Sequence, residues 1–144
     1  MDSINFHRSN LIAEKDIGSS IFRLYENGIY HVIVKKNEKV TMEFVQKGYD
    51  FLDEHGGGPF YNIYEFHSFS DVDPEVREWA ASPTNNFYTK IDAIVISNLP
   101  QKILADFYVR INKKVKPTRI FNSLEKAFEW VHSEMNEEFK TDSL

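Results

Sequence analysis

The chain has 144 residues, no cysteine and a formal net charge of −5. A chain of this length can bury a core without a staple, and the missing thiols exclude disulfide frameworks, thiolate zinc sites, cysteine nucleophiles and cysteine-held iron–sulfur clusters. The acidic balance argues against the whole surface serving as a polyanion-binding face, and the aromatic content of 15% excludes a disordered chain.

In chain order, residues 1–20 read as a polar arm, with one edge strand expected around Ile4–Ile12. Ile21–Tyr25 and Ile29–Val34 flank Asn27-Gly28, which predicts a β-hairpin whose two turn positions both take positive φ. Thr41 is placed to cap a helix with apolar positions at Met42, Val45, Tyr49 and Leu52. Gly48 inside that helix points to a close helix–sheet contact, and Gly56-Gly57-Gly58-Pro59 ends it. These glycines follow a helix and precede a strand, the reverse of a phosphate-binding loop, so a nucleotide site is not expected.

Phe60–Phe66 reads as the next strand. Asp73-Pro74 then opens a short helix through Val76, Trp79 and Ala80, and Ser82-Pro83 stops it. Ala93–Ile96, the longest unbroken apolar run, reads as a buried central strand and is far too short to span a bilayer. Asn98 and Pro100 open a helix whose positions Leu99, Ile103, Leu104, Phe107, Tyr108 and Ile111 form a broad apolar stripe, with Phe107 expected against the sheet. Thr118–Phe121 is the last strand. A final helix, capped by Asn122 with Glu125 or by Ser123 alone, buries Leu124, Ala127, Phe128, Val131 and Met135. The order β-β-α-β-α-β-α-β-α predicts an α/β fold: a mixed five-stranded sheet with helices packed on it. One domain is expected over residues 21–139, followed by a polar tail at 140–144. Met1–Arg8 lacks the apolar stretch of a signal peptide, so a cytoplasmic protein is expected.

That order resembles the SpoIIAA-like family of STAS-fold proteins, whose wider neighbourhood includes the CRAL-TRIO lipid carriers. The resemblance is carried by Tyr25-Glu26-Asn27-Gly28-Ile29, Ala93–Ser97, Leu104–Tyr108, and Pro117–Ser123 leading into Ala127–Trp130. These are mostly packing and capping positions, so what the resemblance implies is chiefly the fold. STAS-fold anti-sigma antagonists carry a phosphorylated serine in an Asp-Ser-x-Gly pattern after a central strand. The stretch that looks similar here is His67-Ser68-Phe69-Ser70-Asp71-Val72-Asp73. Neither the preceding Asp nor the following Gly is present. Asp71 and Asp73 already hold the helix entrance, where a further anion would be repelled. A capping loop is therefore preferred over a phosphoacceptor at Ser68 or Ser70.

Asp71, Asp73 and Glu75 with His67 offer oxygen and nitrogen ligands, but they lack the glycine and distal Glu of a calcium loop, so no metal is expected. The histidines, His7, His31, His55, His67 and His132, show no helical i, i+4 metal pair. Ser97 ends a strand before a helix but lacks the Gly-x-Ser-x-Gly of a nucleophile elbow. No catalytic residue, enzymatic activity or cofactor is therefore expected. Arg110, Lys113, Lys114, Lys116 and Arg119 form a local basic run, read as a solvated helix end and not as a nucleic-acid site.

Two functions follow from the residues and the resemblance. The first is a non-enzymatic STAS-like interaction module that meets a protein partner, or another copy of itself, through His67, Ser68, Ser70, Asp71, Asp73 and Trp79. The alternative is a carrier or sensor of a small apolar or lipid-like ligand, as the CRAL-TRIO likeness implies.

Overall fold

A computed structural model describes residues 8–80, 82, 89–112 and 116–142. Three antiparallel strands open the chain: β1 (Leu11–Asp16), β2 (Ser20–Tyr25) and β3 (Ile29–Val34). A short strand β4 (Lys39–Val40) leads into helix α1 (Met42–Asp53), followed by β5 (Phe60–Phe66) and β6 (Asp71–Val72). Helix α2 (Pro74–Ala80), strand β7 (Thr89–Val95), helix α3 (Leu99–Asn112), strand β8 (Thr118–Phe121) and helix α4 (Leu124–Asp142) complete the fold.

The main sheet is mixed and has six strands in the order β1-β2-β3-β5-β7-β8, parallel from β3 onward. The sixth strand, beyond the five expected, is β1, which overlaps the Ile4–Ile12 edge strand the sequence suggested at Leu11 and Ile12 and runs on to Asp16; residues 4–7 lie outside the described residues. An edge strand buries little, so its pattern carries no clear period: Leu11 and Ile12 are exposed. Charged side chains fasten it instead, Glu14 to Arg23 at 2.8 Å and Asp16 to Lys35 at 2.8 Å, and such charges also blunt an open edge. A separate two-stranded ladder pairs β4 with β6 in parallel. At the far end the final helix runs on to Asp142, through residues expected to form the start of a polar tail.

The hairpin between β2 and β3 forms with a different turn from the one expected. Gly28 N–H donates to the Tyr25 carbonyl at 2.9 Å, and only Gly28 takes positive φ, at 93°. Asn27 stays in ordinary territory, which is the three-residue loop of a type I turn followed by a left-handed glycine. The caps match expectation more closely. Thr41 Oγ1 accepts from Phe44 N–H at 3.1 Å, and Ser123 Oγ accepts from Lys126 N–H at 3.3 Å, so Ser123 is the residue that caps α4.

Strand alternation divides the core in two. On one face Ile29, Ile63, Ala93 and Val95 pack against Ala127, Phe128 and Val131 of α4. On the other, Phe22, Tyr30, Val32 and Val34 meet Phe44, Phe51 and Leu52 of α1 and Val76 of α2. Gly48 permits that approach, because a Cβ there would stand 3.2 Å from the Tyr30 hydroxyl.

Helix α3 lies on this second face and departs from the sequence reading. Leu99, Ile103 and Phe107 are exposed, Phe107 by 54%, whereas Gln101 and Ala105 are buried. At 100° per residue, Leu99, Ile103 and Phe107 lie roughly 160–240° around the helix from Gln101. A stripe of apolar residues this broad has two sides, and periodicity alone does not say which one meets the sheet. Phe107→Ala is consequently expected to cost less than about 1 kcal/mol. Phe128→Ala, at a residue only 2% exposed, should cost about 3–5 kcal/mol. Urea midpoints of the two variants measured side by side check this, and equal losses would contradict the assignment of faces.

Candidate functional site

The loop after β5 carries most of the residues singled out in the sequence. Its centre is Gln101, whose amide nitrogen donates to the carbonyls of His67 and Ser70 at 3.0 and 3.1 Å and to Ser70 Oγ at 3.2 Å. The amide oxygen of Gln101 accepts from Ser97 N–H at 2.7 Å, and its own N–H is capped by Asn98 Oδ1 at 3.0 Å. Ser70 is buried, and its hydroxyl donates to the His67 carbonyl at 2.7 Å. Ser68 is exposed, beside Phe69 with a φ of 60° and 72% exposure. Asp71 lies in β6, paired with Lys39 of β4. Asp73 sits at the entrance of α2, with its carbonyl accepting from Arg77 N–H at 3.0 Å and its carboxylate 3.6 Å from Lys39 Nζ. Among the described residues no group of three or more histidine or acidic side chains could hold a metal ion. Trp79 packs edge-on against Tyr49 of α1, ring centroids 6.0 Å apart.

Between α1 and α2 on one side and α3 on the other, the second sheet face is only partly covered. An apolar cavity of about 160 Å³ remains there. Its floor is Tyr30, Tyr64 and Ile94, and its walls include Phe44 and Gly48 of α1, Trp79 of α2 and Ala105 of α3. Phe107 stands at its rim, lining the cavity and facing solvent at once.

A buried polar cluster borders this cavity through Thr89 and Tyr108. Asp92, between Ile91 and Ala93, is fully buried and is met from four directions. Lys116 Nζ lies 3.1 Å from Oδ2 and Tyr108 Oη donates to Oδ2 at 2.8 Å. Asn62 Nδ2 and Thr89 Oγ1 donate to Oδ1 at 3.2 and 3.1 Å. The sequence did hold a signal for this cluster, since a carboxylate between Ile91 and Ala93 demands partners. Nothing local to it names Lys116 or Tyr108. The basic run read as one solvated helix end is correspondingly divided. Lys116 is buried with Asp92, Arg119 lies over Phe121 and Trp130 on the opposite sheet face, and Lys113 and Lys114 lie outside the described residues.

On the α4 face a second buried pair forms. Glu65 bridges His31 Nε2 at 2.8 Å and His67 Nε2 at 3.0 Å, and the His31 ring stands edge-on to Phe128. His31, read as an ordinary strand residue, is thus one that meets a carboxylate through its ring nitrogen. Burial alone would push the Glu65 carboxyl up; the hydrogen bonds and charge of His31 and His67 outweigh it and hold the carboxyl below its ordinary range. His55 closes the end of α1 on the Phe51 carbonyl at 2.8 Å, and His7 lies outside the described residues.

A family model, a domain of unknown function designated DUF7793, matches residues 23–134. The chain belongs to the DUF7793 family. The matched span takes in the cavity walls, the loop at Gln101 and the Glu65 pair, so all three belong to the DUF7793 domain itself. An uncharacterised protein of the DUF3478 family from Shewanella loihica PV-4, with a SpoIIAA-like fold, superposes with a TM-score of 0.51 at 11% identity. The superposition covers 91% of this chain and 99% of that one. The fold is therefore SpoIIAA-like, with six strands in its sheet. No curated protein matches the chain. Among the described residues no helix is long and apolar enough to cross a membrane.

Glu65 makes stability depend on acid. Its folded pKa lies below the unfolded value of 4.5, so its contribution is complete above that value and is lost as pH falls through the folded one. Glu65→Gln should therefore flatten the decline in stability below about pH 4.5. Urea midpoints recorded from pH 3 to 6 check this, and an equally steep fall in both proteins would contradict it.

Proposed function

We propose that this DUF7793 protein is a non-enzymatic ligand-binding module that holds a small apolar molecule between α1, α2 and α3. The observation that carries the reading is the 160 Å³ cavity over the middle strands, walled by aromatic and aliphatic side chains. Binding sites of this kind are concave and mostly apolar, with few polar groups. The absence of catalysis is part of the proposal. The Asp92 carboxylate bordering the cavity has both oxygens engaged by donors, and the Ser97 hydroxyl is committed to the Phe66 carbonyl.

A second reading, a module that meets a protein partner, is favoured by the exposed stripe of Leu99, Ile103 and Phe107. It would place the interface on α3 in place of the loop at 67–73, whose buried polar groups are tied to Gln101. The two readings share Phe107 at the cavity rim.

Ethylbenzene titrated into the full-length protein should quench or enhance the fluorescence of Trp79, which lines the cavity, saturably. Ala105→Phe fills the space beside α3 and should abolish the response while circular dichroism remains native. Val45→Phe, from the α1 wall, serves the same purpose if the first variant fails to fold. A flat titration of the wild-type protein, or an unaltered one in both folded variants, would overturn the reading.

A further inference from the structure

Resting on the cavity reading, we infer that the molecule held between α1, α2 and α3 is a small amphipathic carboxylate. Its apolar body fills the cavity, and its carboxylate stands at the mouth against the guanidinium of Arg77. The lining limits the body. Rings from Phe44, Tyr49, Tyr64, Phe66 and Trp79 surround the space, and aromatic pairs gain from edge-to-face and offset contacts beyond simple burial. A cavity of about 150 Å³ accommodates benzene, so 160 Å³ takes one ring with a short side chain.

Charge at the mouth decides the rest. Among the described residues that line the cavity, Arg77 and Asp71 carry formal charges, and the two are placed differently. Val72, next to Asp71 in β6, packs against the core. Successive side chains of a strand point to opposite sides, so the exposed carboxylate of Asp71 is turned away from the space. Arg77 lines the cavity and is exposed at once, which puts it at the mouth, as Phe107 is on α3. At 100° per residue Arg77 lies about 160° around α2 from Trp79, whose ring packs on Tyr49 of α1. It therefore occupies the flank of α2 turned away from α1.

No neighbouring acid engages this cation. Asp73 lies 3.6 Å from Lys39, Asp106 is paired with Lys102, and Asp92 is paired with Lys116. Glu75 and Glu78, the acidic residues of α2 itself, are exposed and lie about 160° and 100° around the helix from Arg77. Among the described residues the Arg77 side chain has no hydrogen-bond, ion-pair or ring partner. A guanidinium offers five N–H donors in a planar fork that matches a carboxylate. One such group balances one negative charge, which suits a carboxylate better than a phosphate monoester carrying close to two. Because the mouth is open to solvent, the carboxylate keeps part of its hydration and avoids the penalty of full burial.

Three probes with a common phenylethyl body test this by calorimetric titration of the full-length protein at neutral pH and low salt: ethylbenzene, phenylpropionate and phenethylamine. Phenylpropionate should bind about five-fold more tightly than ethylbenzene, the worth of one solvent-exposed ion pair, and phenethylamine more weakly than either. That margin should shrink in about 1 M salt, where exposed charges are screened. Arg77→Met, which keeps an unbranched stem without the charge, should erase the margin and leave ethylbenzene affinity unchanged. Arg77→Glu should make phenethylamine the tighter of the two ionic probes. Arg77 is exposed, so both variants should keep the native circular dichroism. Phenylpropionate binding no tighter than ethylbenzene, or a margin that survives Arg77→Met, would overturn the inference while leaving the cavity reading intact. Failure of all three probes to bind would overturn the cavity reading and this inference with it.

Discussion

The side chain of Gln101 is hydrogen-bonded at both ends of its amide, to the backbone of the loop after β5 and to Ser97 at the start of α3. Buried amides of this kind are costly to leave unpaired, so the helix is held at the rotation that brings Gln101 inward. Everything distinctive about the second sheet face follows from that rotation. Ala105 and part of Tyr108 come to the inside, while Leu99, Ile103 and Phe107 go to the outside. Because the inward residues include an alanine, α3 leaves the middle of the sheet incompletely covered.

Leaving that space open has an energetic consequence. Because the space opens to solvent at Phe107, its apolar lining forgoes part of the packing contact that a closed core would give it. A ligand that filled the space would recover part of it, and its binding would appear as a gain in stability. The α4 face shows the contrast. There Ile63, Ala93, Phe128 and Val131 are almost wholly buried, while the other side of the sheet retains room.

Each sheet face also buries one charged cluster, and the two differ in kind. Asp92 and Lys116 are both almost wholly buried, with Thr89, Asn62 and Tyr108 saturating the carboxylate. Such a pair ties β7 to the approach of β8 and holds Tyr108 on α3, which sets one border of the cavity. Glu65 is bridged by two histidines, one buried and one half-exposed. His67 thereby links the α4-face cluster to the Gln101 loop, since its carbonyl is a Gln101 acceptor.

Most of the element order was legible from local chemistry. Thr41, Asn98 and Ser123 as caps, Pro74 at the first turn of α2, and the apolar runs of the central strands all act within a few residues of themselves. The edge strand β1 was harder, because a strand exposed on both faces has no alternation to display and is held by ion pairs to residues far along the chain. The face of α3 could not be read at all from its own residues. Its apolar positions are numerous enough to suit two rotations, and the choice rests with one polar residue, Gln101, whose acceptors lie about a whole helix and strand earlier in the chain. The partners of Asp92 and Glu65 are likewise tens of residues away. Local sequence thus determined which segments become helix or strand and where they end. The rotation of α3, the burial of Lys116 and the open space over Tyr64 and Ile94 were decided by tertiary structure, because each depends on satisfying buried polar groups across elements that only the fold brings together.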